Sequence, residues 1–205
     1  MGQSLKIVAI VQARLASTRL PGKVMLPICG QPMLALLLER LAKAKRLDEI
    51  VVATSSTPEN QSIANLARTQ GCSVFQGSEQ DVLERYLGAA LQSQADVVVR
   101  ITADCPLIDP NIIDGVIDAF LNRQVDYASN TQPPTFPDGL DTEVFSIEAL
   151  KAAHIHAHSP AEREHVTPFI RNSNNFSRFN CAHSTDLSSE RWTVDEPEDF
   201  EVIKN

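Results

Sequence analysis

The chain has 205 residues, enough for one sizeable hydrophobic core, and its 43% hydrophobic and 21% charged content is ordinary for a globular protein. Its formal net charge of −8 argues against general nucleic-acid binding, so a polyanion would have to be met at a local basic spot. No apolar run approaches the ~20 residues of a bilayer span. The start carries neither the basic region nor the cleavage site of a signal peptide, and four scattered cysteines form no C-x-x-C pair, so the expectation is a cytoplasmic protein with reduced thiols and no membrane partner.

Residues 5–12 form a near-continuous apolar run, as expected of a strand buried on both faces. Met33, Leu34, Leu37, Leu38 and Leu41 recur at helical spacing, which predicts a helix over 32–44. A second buried strand follows at 49–54. Thr57 and Pro58 predict the start of a helix over 58–70, and Gly71 its end. A third strand is expected at 72–76, a helix at 80–94 and a fourth strand at 96–101. Asp109 reads as the cap of a helix beginning at Pro110. Two further strands are expected near 125–129 and 140–145. Beyond Ser146 the pattern turns mostly helical, with Ser159-Pro160-Ala161-Glu162 reading as a capping box. Strands near 176–183 and at 191–194 lead into Asp195-Glu196-Pro197-Glu198-Asp199. No repeat or linker is visible, so the expectation is a single domain over 1–205 whose last helix is cut short.

This alternation predicts an α/β fold: three layers, with a mainly parallel twisted sheet between helices on both faces. In such sheets ligands sit beyond the carboxyl ends of the strands, where strand order switches. Chemistry is therefore sought just after residues 12, 54, 76 and 101.

The segment Gln12-Ala13-Arg14-Leu15-Ala16-Ser17-Thr18-Arg19-Leu20-Pro21-Gly22-Lys23 is the most informative. It follows the first strand and carries three cations, two hydroxyls and a glycine. A triphosphate needs such a set: amides and hydroxyls for its oxygens, fixed cations for its charge. The loop contains neither a Walker A pattern nor G-x-G-x-x-G. A solvated basic loop is the plain alternative.

This loop and Gly30-Gln31-Pro32-Met33 resemble the cytidylyltransferases that make CMP-sugar acids, such as the 3-deoxy-manno-octulosonate and acylneuraminate enzymes. The resemblance extends over nearly the whole chain and is nearest to the spore coat polysaccharide biosynthesis protein F branch. It also rests on Asp81-Val82-Leu83-Glu84-Arg85-Tyr86, on the stretch Arg100-Ile101-Thr102-Ala103-Asp104-Cys105-Pro106-Leu107-Ile108-Asp109, on Pro137-Asp138-Gly139-Leu140-Asp141-Thr142-Glu143-Val144-Phe145 and on Trp192-Thr193-Val194-Asp195-Glu196-Pro197. It implies a GT-A-like nucleotide-diphospho-sugar transferase fold, CTP as donor, a sugar or sugar acid as acceptor, surface polysaccharide as the pathway, and a homodimer as in many relatives. Nucleotide contacts are then expected from Gln12, Ala13, Arg14, Ser17, Thr18, Arg19, Lys23, Arg100 and Thr102, with Arg14, Lys23 and Asp104 at the chemistry. At Thr102 the octulosonate enzymes place a Gln, and the Asp138-Gly139-Leu140-Asp141 stretch also departs from them.

Asp104 stands at a strand's carboxyl end, well placed to hold Mg²⁺, a hard cation that prefers oxygen; a cap is the alternative. The resemblance makes Asp104 a metal ligand and adds Asp195, which could equally cap the last helix. Asp141 and Glu143, two apart on an expected strand, share a face and could accept from sugar hydroxyls. Asp81 lies where the family reads base or ribose, or else caps a helix. Arg100 faces the nucleotide or makes a structural ion pair. His165 is a substrate candidate with packing as the alternative; His154, His156 and His158 read as a solvated helix end, and Cys105 as a buried small hydrophobe. Two other readings stay open: another NTP-sugar pyrophosphorylase or GT-A glycosyltransferase, and a non-catalytic nucleotide-binding module.

Overall fold

The structure is a computed structural model that describes residues 4–204. In chain order come β1 (Ile7–Gln12), a 3₁₀ turn (Lys23–Met25), the short ribbon of β2 (Pro27–Ile28) and β3 (Gln31–Pro32), α1 (Met33–Leu41), and β4 (Glu49–Ser55). A 3₁₀ turn (Pro58–Asn60) leads into α2 (Gln61–Thr69), β5 (Ser73–Gly77), α3 (Val82–Gln92), β6 (Val97–Thr102) and α4 (Pro110–Arg123). The remainder is β7 (Tyr127–Ser129), β8 (Glu143–Ser146), α5 (Ile147–His156), α6 (Pro160–His165), α7 (Pro168–Asn172), β9 (Arg178–Asn180) and α8 (Pro197–Lys204).

Seven strands form one sheet in the order β5-β4-β1-β6-β8-β7-β9. Only β8 runs against the rest, pairing antiparallel with β6 and β7. The expectation of a mainly parallel, helix-covered sheet is met. Strand β1 shows why the fold is layered: Ile7, Ala9 and Val11 join one buried cluster, Val8 and Ile10 the other. Side chains alternate across a strand, so a fully apolar strand must be covered twice. Helices α1, α2 and α4 cover the first face; α3, α5 and α7 cover the second. Among the described residues, no helix is long and apolar enough to cross a membrane.

The caps foreseen at Asp109 and Ser159 form. Asp109 accepts from the amides of Asn111 and Ile112, and Ser159 with Glu162 makes a reciprocal capping box. Thr57 differs: its hydroxyl makes no cap bond and turns to Glu79 and Asn60. The helix expected at 58–70 is accordingly split into a 3₁₀ turn and α2. The strand expected at 191–194 does not form. Only Arg191 makes an isolated bridge, to Asp138, and Val194 donates its amide to the Asp104 carbonyl at 2.8 Å. That segment reads as β from its residue types, but its partners are loop backbone. Gly139 makes the approach possible: with φ of 110°, a Cβ there would lie 2.6 Å from the backbone of Trp192 and Thr193.

Candidate active site

Strand order reverses beside β1, since the chain proceeds outward through β4 and β5 and then returns to set β6 on the other side. A cleft of about 320 Å³ opens beyond the carboxyl ends of β1 and β6, as expected at such a switch. Gln12 lines it from the end of β1, and Ala13, Arg14, Ser17, Thr18, Arg19 and Lys23 from the segment that follows. Arg100 and Thr102 line it from β6, Asp104 from the turn after β6, Glu164 and His165 from α6, and Asp195 from the approach to α8.

Each loop cation already has an acidic partner. Lys23 Nζ donates to the Val194 carbonyl at 2.6 Å, to Asp195 at 2.9 Å and to Asp104 at 3.4 Å. Its place is set by Gly22, whose left-handed φ of 70° turns the chain into the 3₁₀ segment. Arg19 meets Asp195 at 3.0 Å and Glu196 at 3.3 Å, and Arg14 meets Glu164 at 3.5 Å. The two arginine side chains are 54% and 36% exposed, so these pairs are weak and exchangeable.

Asp104 and Asp195 come from distant sequence yet share one ammonium. The Asp104 carbonyl accepts from the Val194 amide at 2.8 Å and from the Thr193 hydroxyl at 3.2 Å, which ties the two segments together. Burial alone would raise the Asp195 carboxyl; Lys23, Arg19 and Arg191 outweigh it and hold it below the ordinary range. Asp199, in the first turn of α8, accepts the amides of Asp195 and Glu196 at 2.9 Å and so holds the Asp195 segment against the helix. Among the described residues, no group of three or more His, Cys, Asp or Glu side chains could hold a metal ion. The pair Asp104–Asp195 is nevertheless a donor set that suits Mg²⁺, which commonly takes one or two carboxylates and completes its shell with phosphate oxygens and water.

A second cavity of about 160 Å³ adjoins the first through Arg100 and His165, which line both; Asp141, Glu143, Thr167 and Arg171 are among its other walls. Here the expectation of an open, sugar-facing Glu143 needs correction. Glu143 is 4% exposed, and its oxygens take bonds from Tyr127 at 2.6 Å, Thr167 at 2.7 Å and the Arg100 guanidinium. The choice left open for Arg100 resolves as an ion pair that also forms part of the cleft wall. Asp141 precedes β8 rather than lying in it. It opens to solvent yet is hemmed in by protein, and that desolvation, with Asp138 and Glu143 close by, pushes its carboxyl up to about 6.

Asp81 does not line the cleft. It caps α3 through the Glu84 amide and is gripped by Arg163, so the cap alternative describes it. His165 is exposed and faces both cavities rather than packing inside. His156 stacks on Phe169 at 5.9 Å between centroids. Burial, with Asp104 adding to it, raises the Cys105 thiol well above the ordinary value, which makes it a poor nucleophile. Sequence reasoning missed Arg191, which pairs with Asp138, Asp195 and Asp199, and Arg171 beside Asp141. Asp195 and Asp199 lie four and eight residues beyond Arg191 and are the readable part of this signal; Asp138, and Asp141 beside Arg171, come from other segments.

Comparison with known proteins places the chain in a family. The family profile described as cytidylyltransferase matches residues 8–204. The spore coat polysaccharide biosynthesis protein SpsF of Bacillus subtilis is 33% identical over 206 residues, spanning 97% of this chain and 85% of that protein. A solved cytidylyltransferase from Leptospira borgpetersenii is 38% identical with a TM-score of 0.94, covering 98% of this chain and 86% of its own. A CMP:2-keto-3-deoxy-manno-octonic acid synthetase solved with CTP, 18% identical, has the same fold with a TM-score of 0.73 over 97% of both chains. Matched along nearly its whole length in sequence and in structure, the chain belongs to the cytidylyltransferase family of nucleotidyltransferase enzymes.

Proposed function

We propose that this enzyme transfers CMP from CTP to a hydroxyl of a sugar or sugar acid, releasing pyrophosphate, and that the product feeds surface polysaccharide synthesis. The observation that carries the reading is the convergence of Arg14, Arg19 and Lys23 with Asp104 and Asp195 in one cleft at the switch point. A binding module for neutral ligands has no use for paired opposite charges of this density.

In the transfer, the acceptor oxygen forms a bond to the α-phosphorus while the bond to the bridging oxygen breaks. Pyrophosphate leaves with that electron pair, and the hydroxyl proton passes to solvent. Arg14, Arg19 and Lys23 exchange carboxylate partners for phosphate oxygens and oppose the charge that grows on the leaving group. Ser17, Thr18 and the amides of the loop fix the phosphate chain in place. Asp104 and Asp195 would hold Mg²⁺, which when bound neutralises phosphate charge and lowers the pKa of the attacking hydroxyl. Gln12 Oε1 is buried without a protein partner in the cleft and is available to a donor on the nucleotide. Asp141, His165 and Arg171 surround the adjoining cavity, where an acidic polyol finds both a cation and a hydrogen-bond acceptor. The positions proposed for Glu143 and Asp81 are supporting ones.

The test is thermal unfolding with CTP, UTP, ATP and GTP, with and without Mg²⁺. A ligand at about 100 times its Kd adds about 2.7 kcal/mol of stability, readily seen as a shift in Tm. A shift confined to CTP with Mg²⁺ supports the reading. A larger shift with another nucleotide would move the protein to a different pyrophosphorylase class, and no shift with any would remove the nucleotide site.

A further inference from the structure

Asn60 stands directly before α2, where an asparagine ordinarily accepts a hydrogen bond from its own helix. It makes none there. The residue is fully buried, and its amide is committed to loops. Its Oδ1 accepts from the Leu15 amide at 2.9 Å, and its Nδ2 donates to Ser55 Oγ at 2.6 Å and Thr57 Oγ1 at 2.8 Å. Both hydroxyls in turn lie on Glu79 Oε2, at 2.6 and 3.2 Å. The direction of this chain of bonds is forced. A backbone N–H can only donate, so the Asn60 oxygen faces Leu15 and its NH₂ faces the hydroxyls, which donate in turn to the carboxylate.

The two ends of the chain matter. The Leu15 carbonyl accepts from the amides of Ser17 at 2.8 Å and Gly22 at 2.9 Å, so the Leu15 peptide is the hub on which the 14–23 loop folds. Glu79 belongs to the loop after β5, whose Ser78 and Glu79 carbonyls are held by Arg85. One buried side chain thus fixes one loop against the other.

We infer that Asn60 is a positioning residue that ties the 14–23 loop to the loop after β5, and so holds the loop's cations and amides at the spacing a nucleotide's phosphates require. The nucleotide half of this inference rests on the proposed function; the latch itself does not. Three variants test it. Asn60→Ala removes the latch. Asn60→Asp places two carboxylates across the hydroxyls. Asn60→Asp combined with Glu79→Gln keeps the net charge and reverses each side-chain bond: the new carboxylate accepts from Leu15 and the hydroxyls, and the new amide donates to them. Ile117→Ala, in the core under α4, serves as a control for lost stability alone.

Amide exchange at Leu15, Ser17 and Gly22 is expected to quicken roughly tenfold in Asn60→Ala and Asn60→Asp and to return towards wild type in the reversed pair. Calorimetric binding of CTP with Mg²⁺ is expected to weaken about tenfold or more in the same two variants and to recover in the reversed pair, with little change in Ile117→Ala. Unchanged exchange in Asn60→Ala, or a reversed pair no better than Asn60→Asp, overturns the inference. Wild-type protein that binds no CTP, with the exchange pattern intact, would sink the nucleotide reading while the exchange data establish the latch.

Discussion

Replacing Glu143 by Gln is the most demanding perturbation the cleft offers. The substitution keeps the volume and leaves an oxygen for Tyr127 and Thr167, but it removes the carboxylate that, among the described residues, pairs with Arg100. Glu143 is buried, and the Arg100 side chain is 16% exposed with its Nε already lacking a partner. Taking one member from such a pair costs about 3–5 kcal/mol, because the remaining charge stays desolvated. For a chain of this size each kcal/mol lowers Tm by about 2–4 °C, so a fall of about 6–20 °C is expected. Burial would raise the Glu143 carboxyl, but Arg100, Tyr127 and Thr167 prevail and hold it below its ordinary 4.5. The pair's contribution is therefore complete above pH 4.5 and is lost as pH falls through the folded-state value.

The assay is urea unfolding of wild type and Glu143→Gln from pH 7 down to pH 3. The gap between them should be widest at neutral pH and narrow in acid. Adding Arg100→Met to Glu143→Gln should recover much of the loss, since a buried pair replaced by uncharged groups of similar volume is often near neutral. A loss under about 1 kcal/mol, a gap that does not change with pH, or a double variant as weak as the sum of the singles would refute the reasoning.

Three other outcomes follow from the same geometry. Lys23→Ala should weaken CTP binding about 10- to 100-fold and CMP binding much less, measured by calorimetry; equal losses would argue against placing Lys23 on the outer phosphates. Asp104→Asn should cut Mg²⁺-dependent pyrophosphate release roughly a hundredfold or more with Tm nearly unchanged, and retained turnover would strike Asp104 from the metal pair. Asp141→Asn should stabilise the protein at pH 7. The folded carboxyl at about 6 lies above its ordinary 3.8, so wild type loses stability as pH rises through that window. Asp141 opens to solvent, which limits the gain to about 1 kcal/mol or less, and it should vanish below pH 4. A gain that is larger in acid than at neutral pH would contradict the assignment.

The parts of the fold legible in the sequence are those set by local periodicity and by caps. The run at 5–12, the helical spacing after Met33 and the Asp109-Pro110 start each need only their own neighbours to be read. The 14–23 loop was legible as a unit because a single loop after the first strand must land at the switch point. Glu143 was not. Alternation gives its face, but its burial follows from β8 running antiparallel beside β6, which places Glu143 opposite Arg100. The segment 191–194 failed for the converse reason: its residue types suit a strand, yet the edge it meets is the loop backbone at Asp138 and Asp104. Asn60 and Arg191 join near neighbours to distant segments: the bonds of Asn60 to Ser55 and Thr57 and of Arg191 to Asp195 and Asp199 are local, but those to Leu15 and Asp138 cross the fold, and a single sequence carries no signal for the long-range half.

A chain with net charge −8 places its loop cations among its own carboxylates, and this shapes how a nucleotide would bind on the proposed reading. Each phosphate contact is gained by giving up an ion pair, so its net worth is a difference between two charge-assisted bonds. The exposed pairs of Arg14 and Arg19 give way at little cost, while the three bonds of the mostly buried Lys23 do not. Once Lys23 turns to phosphate, Asp104 and Asp195 face a triphosphate without their shared cation, which is unfavourable by like-charge repulsion. The arrangement therefore favours nucleotide and divalent cation arriving as a pair. It disfavours either alone, and it leaves the site neutralised by its own side chains when pyrophosphate departs.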